Sequence, residues 1–320
     1  PHPVNFFLLS PDQLSNLWAE RPLAVRAEGK INVALVFWEL PTLPTQWLPI
    51  LESMDLIVAP SEFVKHAVMA DVAGPALRDL GHPLDVPERV VGDRARWGIP
   101  EDVVAFVSSF EMASDINRKN PFAAIEAFEQ ALGGHQNARL IIKVNNSRAE
   151  ARFAHHVDRL RSFTERNPNI SLIEDVLSYP ELLGLFASCD ALVSLHRAEG
   201  LGLCPMEAMT LGKPVIATGW SGNLAFMTER NSCLVGHDLV SVHNATQETY
   251  SRDVVGEAAR WAEPRVADAA HWMRRLVAEP ELRQRIGERA AADMRDYQQR
   301  LAPEEIAAAI RNIAARRASQ

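Results

Sequence analysis

Residues 190–223 read DALVSLHRAEGLGLCPMEAMTLGKPVIATGWSGN, and their pattern indicates the fold class. An apolar run, typical of a buried strand, is followed by a loop with two glycines. Pro205 is typical of the first position of a helix, where its missing N–H removes no hydrogen bond, and the predicted helix covers 205–211. Gly212 ends that helix, and a second apolar strand begins at Val215. A strand, a glycine loop, a helix and a strand together form the repeating unit of a parallel α/β sheet.

The same alternation of apolar strands and amphipathic helices extends over most of the chain. Continuous apolar strands that are separated by helices are typical of a parallel sheet covered on both faces. The predicted strands are 4–9, 31–37 and 55–59 in a first unit, and 103–107, 139–144, 170–174, 191–195, 215–218 and 233–235 in a second. The predicted helices are 11–20, 61–70, 121–132, 148–166, 180–188 and 205–211, with Ser61 as the N-cap of the second.

The domain organisation follows from composition along the chain. Residues 71–88 are rich in glycine and proline, which predicts an inter-domain linker. The division is a small or truncated first domain with its linker at 1–88, a doubly wound second domain at 89–264, and C-terminal helices at 265–320 that cross back to the first domain. From 253 onward the Ala-, Arg- and Glu-rich sequence predicts helix alone, over 253–278, 280–299 and 303–317.

Composition excludes several classes of protein. The chain has 320 residues, 47% of them hydrophobic and 23% charged, which is typical of soluble globular domains. A net charge of −8 argues against nucleic acid as a partner, because phosphate backbones need a basic surface. The three cysteines are scattered, which favours a reducing, cytoplasmic location. No apolar run is long enough to span a membrane, no signal peptide is recognisable, and no Cys/His cluster has metal-binding spacing.

The glycine loop and the two glutamates beside it suggest a ligand. Glycines let the backbone approach a ligand closely, and the free N–H groups of a helix start favour an anion such as a diphosphate. Glu199 and Glu207 flank the loop, and carboxylates repel phosphate. Sugar hydroxyls donate well to carboxylates, so one ligand with both a diphosphate and a sugar fits. The alternatives are that Glu207 caps the helix or meets its dipole, and that Glu199 is a solvated loop charge.

A dehydrogenase is a weaker interpretation of the same loop. The spacing of Gly200, Gly202 and Pro205 resembles a dinucleotide-binding fingerprint, but proline stands at the third glycine. In addition, the next strand ends at Thr218 without the acidic residue that would bind a ribose.

A family resemblance rests on several motifs. Residues 199–207, followed by Ala-Met-x-x-Gly-x-Pro-Val-Ile-Ala, resemble the Glu-x7-Glu signature of retaining glycosyltransferase family 4. Residues 117–121 (NRKNP) resemble that family's basic diphosphate clamp. Residues 38–41 (WELP), 59–63 (APSEF) and 261–264 (WAEP) resemble a bacterial polysaccharide-building subgroup. The implied fold is GT-B: two Rossmann-like, doubly wound parallel-sheet domains, the first small or truncated, with C-terminal helices.

The resemblance implies roles for individual residues. The catalytic set comprises Glu199, which would meet the donor sugar's hydroxyls, and Arg118 and Lys119, which would neutralise the departing phosphate. The alternative for these two cations is a surface pair at a helix start. The donor-binding set is Glu207 (to the ribose), Gly200, Gly202, Leu203, Cys204 and Lys143, although for Lys143 a surface position is favoured. Glu39 would serve the acceptor, with a structural role equally open.

Two features depart from the family pattern. The Gly-rich loop that usually follows the first strand is not found before Val4, and the usual first-domain histidine is replaced near Phe37 by Trp38 and Glu39. A truncated first domain and a compact subgroup are the two alternatives that would explain these departures.

The implied activity is that of a hexosyltransferase. It would transfer a hexose, with mannose as the first candidate, from a GDP- or UDP-linked donor to a saccharide or glycolipid acceptor, retaining the anomeric configuration. The sequence contains no Asp-x-Asp motif, which implies metal independence, and no cofactor beyond the donor is implied. Peripheral membrane contact is compatible with this role in polysaccharide biosynthesis. The alternatives are a nucleotide-sugar epimerase on the same fold and a catalytically incomplete donor-binding or scaffold fragment.

Overall fold

The computed structural model describes residues 3–20, 29–134, 136–147 and 151–319. Within these residues a first parallel sheet has the order β1-β2-β3-β4. Its strands are β1 (Val4–Phe7), β2 (Ile31–Leu35), β3 (Leu56–Ala59) and β4 (Ala76–Asp79), and its helices are α1 (Pro11–Glu20), α2 (Leu48–Glu52) and α3 (Glu62–Asp71). Ser61 caps α3 as predicted, because its hydroxyl accepts a hydrogen bond from the Val64 amide.

The prediction of a linker over 71–88 is wrong for residues 76–79. This short segment pairs in parallel with β3 and forms the edge of the sheet. Gly74, at φ +103, turns the chain back after α3, a conformation that only glycine adopts without strain. A short strand at a sheet edge needs no long apolar run, so the sequence pattern did not reveal it.

The second sheet is larger and wholly parallel, with the order β10-β9-β8-β5-β6-β7. Because β5 lies between β8 and β6, the strand order reverses there, and a ligand of such a sheet binds outside the carboxyl ends at this point. The strands are β5 (Val104–Glu111), β6 (Ala138–Asn145), β7 (Ile170–Ile173), β8 (Ala191–Ser194), β9 (Val215–Thr218) and β10 (Cys233–Val235). The helices are α4 (Ile116–Lys119), α5 (Pro121–Leu132), α6 (Ala154–Arg166), α7 (Tyr179–Ser188) and α8 (Leu203–Thr210).

A small antiparallel hairpin follows the second sheet. β11 (His237–Ser241) pairs with β12 (Arg260–Pro264), so the prediction of helix alone from 253 onward is wrong for 260–264. The partner strand lies about twenty residues away in sequence, and local periodicity does not detect such pairing. Residues 242–259 between these strands, here called the excursion, include the short helix α9 (Arg252–Val255) and pack against the core of the first sheet.

Three helices complete the chain and contact both sheets. They are α10 (Val266–Ala278), α11 (Pro280–Gln299) and α12 (Pro303–Ala318). α10 packs on α5 and α11 on α8, whereas Ile306 and Ile313 of α12 pack on β2 and β3. The predicted class, two Rossmann-like parallel sheets with C-terminal helices, is confirmed. Within the described ranges, no helix combines the length and apolar character needed to cross a membrane.

A close backbone contact fixes the position of α8, the helix that follows the glycine loop. Gly212, just after α8, adopts φ +71, and its carbonyl oxygen lies against Gly287 of α11. A Cβ atom on Gly287 would overlap that oxygen. By contrast, a Cβ atom on Gly184, inside α7, would meet the Val91 carbonyl at an ordinary 3.7 Å. The α8–α11 contact therefore requires glycine, and the α7 position does not.

We predict opposite effects for alanine at these two helical glycines. Gly287→Ala should lower the free energy of unfolding by about 1–3 kcal/mol, because the overlap forces a backbone shift. Gly184→Ala should raise it by about 0.5–1 kcal/mol, because alanine loses less backbone entropy in a helix. Urea denaturation of the two variants beside the wild type measures both effects. Equal effects of the two substitutions would contradict the proposed close packing.

Candidate active site

A cavity of about 280 Å³ lies at the carboxyl edge of the second sheet, facing the first. It occupies the place where the strand order reverses between β8 and β5. Most of its lining residues belong to the second sheet and its helices. They come from the ends of three strands, from α4, from the glycine loop and from the start of α8, and two further residues belong to the first sheet. Its lining includes Phe37, Glu39, Ser108, Ser109, Glu111, Ser114, Arg118, Lys119, Asn145, Ser194, Glu199, Gly200, Gly202, Leu203 and Cys204. We call this cavity the cleft.

Most of the site residues expected from the sequence therefore meet in one place. Eight of them line the cleft, although they come from segments as far apart as 39 and 204. These are Glu39, Arg118, Lys119, Glu199, Gly200, Gly202, Leu203 and Cys204. Glu207 and Lys143 do not line it.

Glu199 is a buried, doubly paired carboxylate. Its Oε1 lies 2.6 Å from Nζ of Lys119, and its Oε2 lies 3.3 Å from Nη1 of Arg118. Burial acts to raise the pKa of Glu199, but the two cations outweigh it and lower that pKa to about 2. Glu199 is only 8% exposed, so it is not a solvated loop charge. It is a fixed anion that can accept hydrogen bonds at any physiological pH.

Arg118 is also buried, which rules out a surface pair for this residue. Its guanidinium donates to the carbonyls of Ser114 (3.2 Å) and Ala198 (2.8 Å) and lies 3.6 Å from a carboxylate oxygen of Glu39. Burial opposes the charge, but Tyr250 and the nearby carboxylates outweigh it and raise the pKa of Arg118. Arg118 therefore links a carboxylate of each sheet.

The backbone that carries these cations is held by one buried carboxylate. Asp115 is fully buried and adopts φ +68, and its Oδ1 accepts from the amides of Asn117 and Arg118 as the N-cap of α4. Its Oδ2 accepts from the amides of Thr246 (2.6 Å) and Gln247 (2.9 Å) in the excursion. One side chain thus fixes both α4 and the excursion at the rim of the cleft.

The glycine loop is confined between two other backbones. A Cβ atom on Gly200 would lie 2.9 Å from the Trp38 carbonyl oxygen of the first sheet, and one on Gly222 would overlap the Gly200 carbonyl. The Ser61 hydroxyl donates to that same carbonyl at 2.6 Å. Glycine is required here by close approach, and the two sheets touch through this loop.

The structure corrects the start of the site helix. α8 begins at Leu203 with Gly202 as its N-cap at φ +95, so Pro205 is the third helical residue and not the first. The first backbone hydrogen bond of α8 runs from the Met206 amide to the Gly202 carbonyl. The amides of Leu203 and Cys204 precede that bond, and both residues line the cleft. They are the donors that a helix start offers to an anion.

Glu207 is buried but lies outside the cleft, one turn beyond Leu203. As the fifth residue of α8 it cannot close a capping box, which needs the third. It is 7% exposed, and burial raises its pKa to about 7, although a hydrogen bond from Tyr179 acts in the opposite direction. Glu207 therefore changes its charge near neutral pH.

We predict a pH-dependent effect of Glu207→Gln on stability. The pKa of Glu207 is about 7 in the folded chain and about 4.5 in the unfolded chain, so the unfolded chain loses its proton first as pH rises. Wild-type stability should then fall relative to the variant between about pH 4.5 and 7, by at most about 1.4 kcal/mol per pH unit. Urea denaturation at pH 5, 6, 7 and 8 measures the difference.

The control for this series is Glu129→Gln, at an exposed position of α5. The difference in free energy of unfolding between Glu129→Gln and the wild type should not change with pH as it does for Glu207→Gln. A Glu207→Gln difference that stays constant over the four pH values would contradict the raised pKa.

Lys143 is fully buried, so the favoured surface position is wrong. It lies near the carboxyl end of β6, and its ammonium donates to the Val144 carbonyl (2.9 Å) and to Oδ1 of Asn145. Burial lowers the pKa of Lys143. Asn145 lines the cleft, so Lys143 fixes the orientation of a lining residue without lining the cleft itself.

Sequence reasoning missed His196, a fully buried residue directly behind the cleft. Asn223 donates its Nδ2 to the Thr218 carbonyl, so its Oδ1 is an acceptor and faces His196 Nε2 at 3.2 Å. His196 Nδ1, 3.0 Å from the Ser194 hydroxyl, is then the acceptor of a neutral ring. Burial lowers the pKa of His196, which agrees with this form. The sequence signal that could have indicated His196 is its position directly after the apolar strand predicted over 191–195.

The described residues contain no group of three His, Cys, Asp or Glu side chains arranged to hold a metal ion.

Comparisons with known proteins agree with this fold. Residues 101–251 match the family model described as "Glycosyl transferases group 1". Sucrose-phosphate synthase from Thermosynechococcus elongatus is similar over 98% of this chain and 74% of its own, with 14% identity and a TM-score of 0.70. HepE from Anabaena, in complex with UDP-glucose, is similar over 99% of this chain and 79% of its own, with 15% identity and a TM-score of 0.68.

A variant of S. aureus TarM in complex with UDP is a further similar structure, with 14% identity and a TM-score of 0.61 over 92% of this chain. This chain spans only about half of TarM, 54% and 53% in two structures. A comparison with curated protein sequences gave no match. The fold is GT-B, and together with the matched domain it supports a glycosyltransferase of the GT-B type.

Proposed function

We propose that the chain is a retaining, metal-independent glycosyltransferase that moves a hexose from a nucleotide diphosphate sugar to a saccharide or glycoconjugate acceptor. The observation that carries this proposal is the meeting of Glu199, Arg118 and Lys119 with the start of α8 in the cleft. An anion-binding backbone and a fixed carboxylate lie side by side there. A ligand with a diphosphate next to a sugar matches both.

The diphosphate belongs at the start of α8. Leu203 and Cys204 line the cleft at the start of α8, where amides have no partner within the helix, and the helix dipole adds partial positive charge at this end. Lys119, with 21% of its side chain exposed, can contact a phosphate oxygen with one ammonium hydrogen while another stays on Glu199. In the reaction, Lys119 and Arg118 stabilise the charge that develops on the leaving diphosphate.

The donor sugar belongs against Glu199. Arg118 and Lys119 keep the Glu199 carboxylate ionised, so Glu199 can accept hydrogen bonds from sugar hydroxyls. The same pairing makes it a weak nucleophile and a weak base, because protonating or alkylating it would cost both ion pairs. A double displacement through Glu199 is therefore disfavoured. Retention by departure of the diphosphate and attack from the same face fits a site whose main contribution is electrostatic.

The first donors to test follow from the similar proteins and from the sequence. HepE is in complex with UDP-glucose and TarM with UDP, so UDP-glucose and UDP are the first probes. GDP-mannose and GDP are the second pair, because mannose was the hexose favoured by the family resemblance. The nucleotide sugar and nucleoside diphosphate that bind the wild type with measurable affinity are then used with the variants below.

We predict that substitutions of the two motif glutamates are distinguishable. Glu199→Gln should weaken the nucleotide sugar at least tenfold and leave the free nucleoside diphosphate unchanged or tighter, because only the sugar loses its charged acceptor. Glu207→Gln should weaken both ligands alike, if Glu207 binds the ribose one helical turn away. Isothermal titration calorimetry with both ligands on each variant separates these outcomes.

Glu129→Gln again serves as the control and should bind both ligands as the wild type does. Equal weakening of both ligands by Glu199→Gln would contradict the assignment of Glu199 to the sugar. Unchanged affinity in both variants would overturn the assignment of this segment to the donor.

We predict that a chelator leaves transferase activity intact. The sequence contains no Asp-x-Asp motif, and Arg118, Lys119 and the α8 amides can supply the positive charge that the leaving group needs. Activity is measured as release of nucleoside diphosphate from the donor, with and without EDTA. Loss of release under EDTA and its return with Mg²⁺ or Mn²⁺ would contradict metal independence.

A further inference from the structure

A second cavity, of about 200 Å³, adjoins the cleft and is not explained by donor binding. The two cavities share Phe37, Glu39, Ser114 and Arg118, so they adjoin at the Glu39–Arg118 ion pair. The remaining lining comes from α1 with its preceding loop, from the aromatic core of the first sheet, and from the excursion. These residues are Ser10, Asp12, Trp38, Trp47, Ala113, Gln247, Thr249 and Tyr250.

The excursion forms one wall of this cavity, and its contacts are specific. The Tyr250 hydroxyl donates to Oε2 of Glu39 at 2.6 Å, and the Tyr250 ring stacks on Trp38 with centroids 5.4 Å apart. The Trp38 ring also packs edge-on against the Trp47 ring, with the two ring centroids 4.7 Å apart. Because the excursion is also bonded to Asp115, which caps α4, the second cavity keeps a fixed geometry relative to the cleft.

The chemistry of the lining matches an uncharged sugar. Asp12 and Glu39 are acceptors, and Thr249 and Gln247 are both donors and acceptors. Four aromatic residues, Phe37, Trp38, Trp47 and Tyr250, also belong to the lining. With Arg118, the formal charges of the lining sum to −1, which disfavours phosphate and favours hydroxyl donors. The volume is below the roughly 300–1,000 Å³ of ordinary ligand pockets, so one pyranose ring fits better than an oligosaccharide.

We propose that this second cavity binds the terminal monosaccharide unit of the acceptor and that the excursion is its specificity element. The inference rests on the proposed function, because an acceptor has meaning only beside a donor cleft. Glu39 faces both cavities: one carboxylate oxygen is held by Tyr250 and the other lies 3.6 Å from Arg118. An acceptor hydroxyl bound here would lie beside Glu39, at the boundary with the donor cleft.

The test uses a bulky substitution inside the cavity and a matched one outside it. Thr249→Trp places an indole in the cavity, whereas Glu248→Trp places one at the preceding, exposed position, which does not line it. The probes are the methyl glycosides of glucose, mannose, galactose and N-acetylglucosamine, each observed by saturation-transfer NMR with UDP present. UDP binding to every variant is measured separately by calorimetry.

We expect at least one glycoside to bind the wild type and Glu248→Trp, and Thr249→Trp to reduce its signal at least fivefold while UDP affinity stays within twofold. A second variant, Asp12→Asn, removes a charged acceptor without adding bulk and should weaken the same glycoside. Glycoside binding that is equal in Thr249→Trp and the wild type would overturn the proposal, as would no glycoside signal on a wild type that binds UDP. Failure of UDP, UDP-glucose, GDP and GDP-mannose to bind would instead contradict the proposed donor function.

Discussion

The contact of the Gly200 backbone with the first sheet is the constraint on which the rest of the site depends. The glycine loop belongs to the second sheet, yet Trp38 of the first lies close enough to exclude any side chain at Gly200. This contact places Glu39, the residue after Trp38, within reach of Arg118.

The charges of the cleft are organised around this contact. Arg118 and Lys119 lie in the last turn of α4, the short helix that Asp115 caps, and both contact Glu199. Two cations and two carboxylates, Glu39 and Glu199, leave the cluster formally neutral. A buried neutral cluster with complete pairing is tolerated in a low dielectric, whereas removing one partner leaves an uncompensated charge. The charged cluster of the cleft is therefore part of the structure that holds the two sheets together.

Much of the second sheet could be predicted from the sequence, because its signals are local. Asn120-Pro121 and Gly133 delimit a helix whose predicted bounds, 121–132, are those observed, and β9 and β10 also agree residue by residue. The strand over 104–111 was predicted to end four residues too early, at Val107, since Ser108 and Ser109 interrupt its apolar run. The missed strands, 76–79 and 260–264, are defined by partners elsewhere in the chain. The pairing of Glu199 with Arg118 and Lys119, eighty residues away, is set by the fold and has no local signal.

The hydroxyl of Ser61 makes two bonds of different kinds. It accepts from the Val64 amide as the cap of α3 and donates to the Gly200 carbonyl of the other sheet. The first bond uses a lone pair and the second uses the hydrogen, so either can break while the other persists. Loss of the bond to Gly200 would therefore leave the cap of α3 in place. Ser61 joins the two sheets without making the start of its own helix depend on that junction.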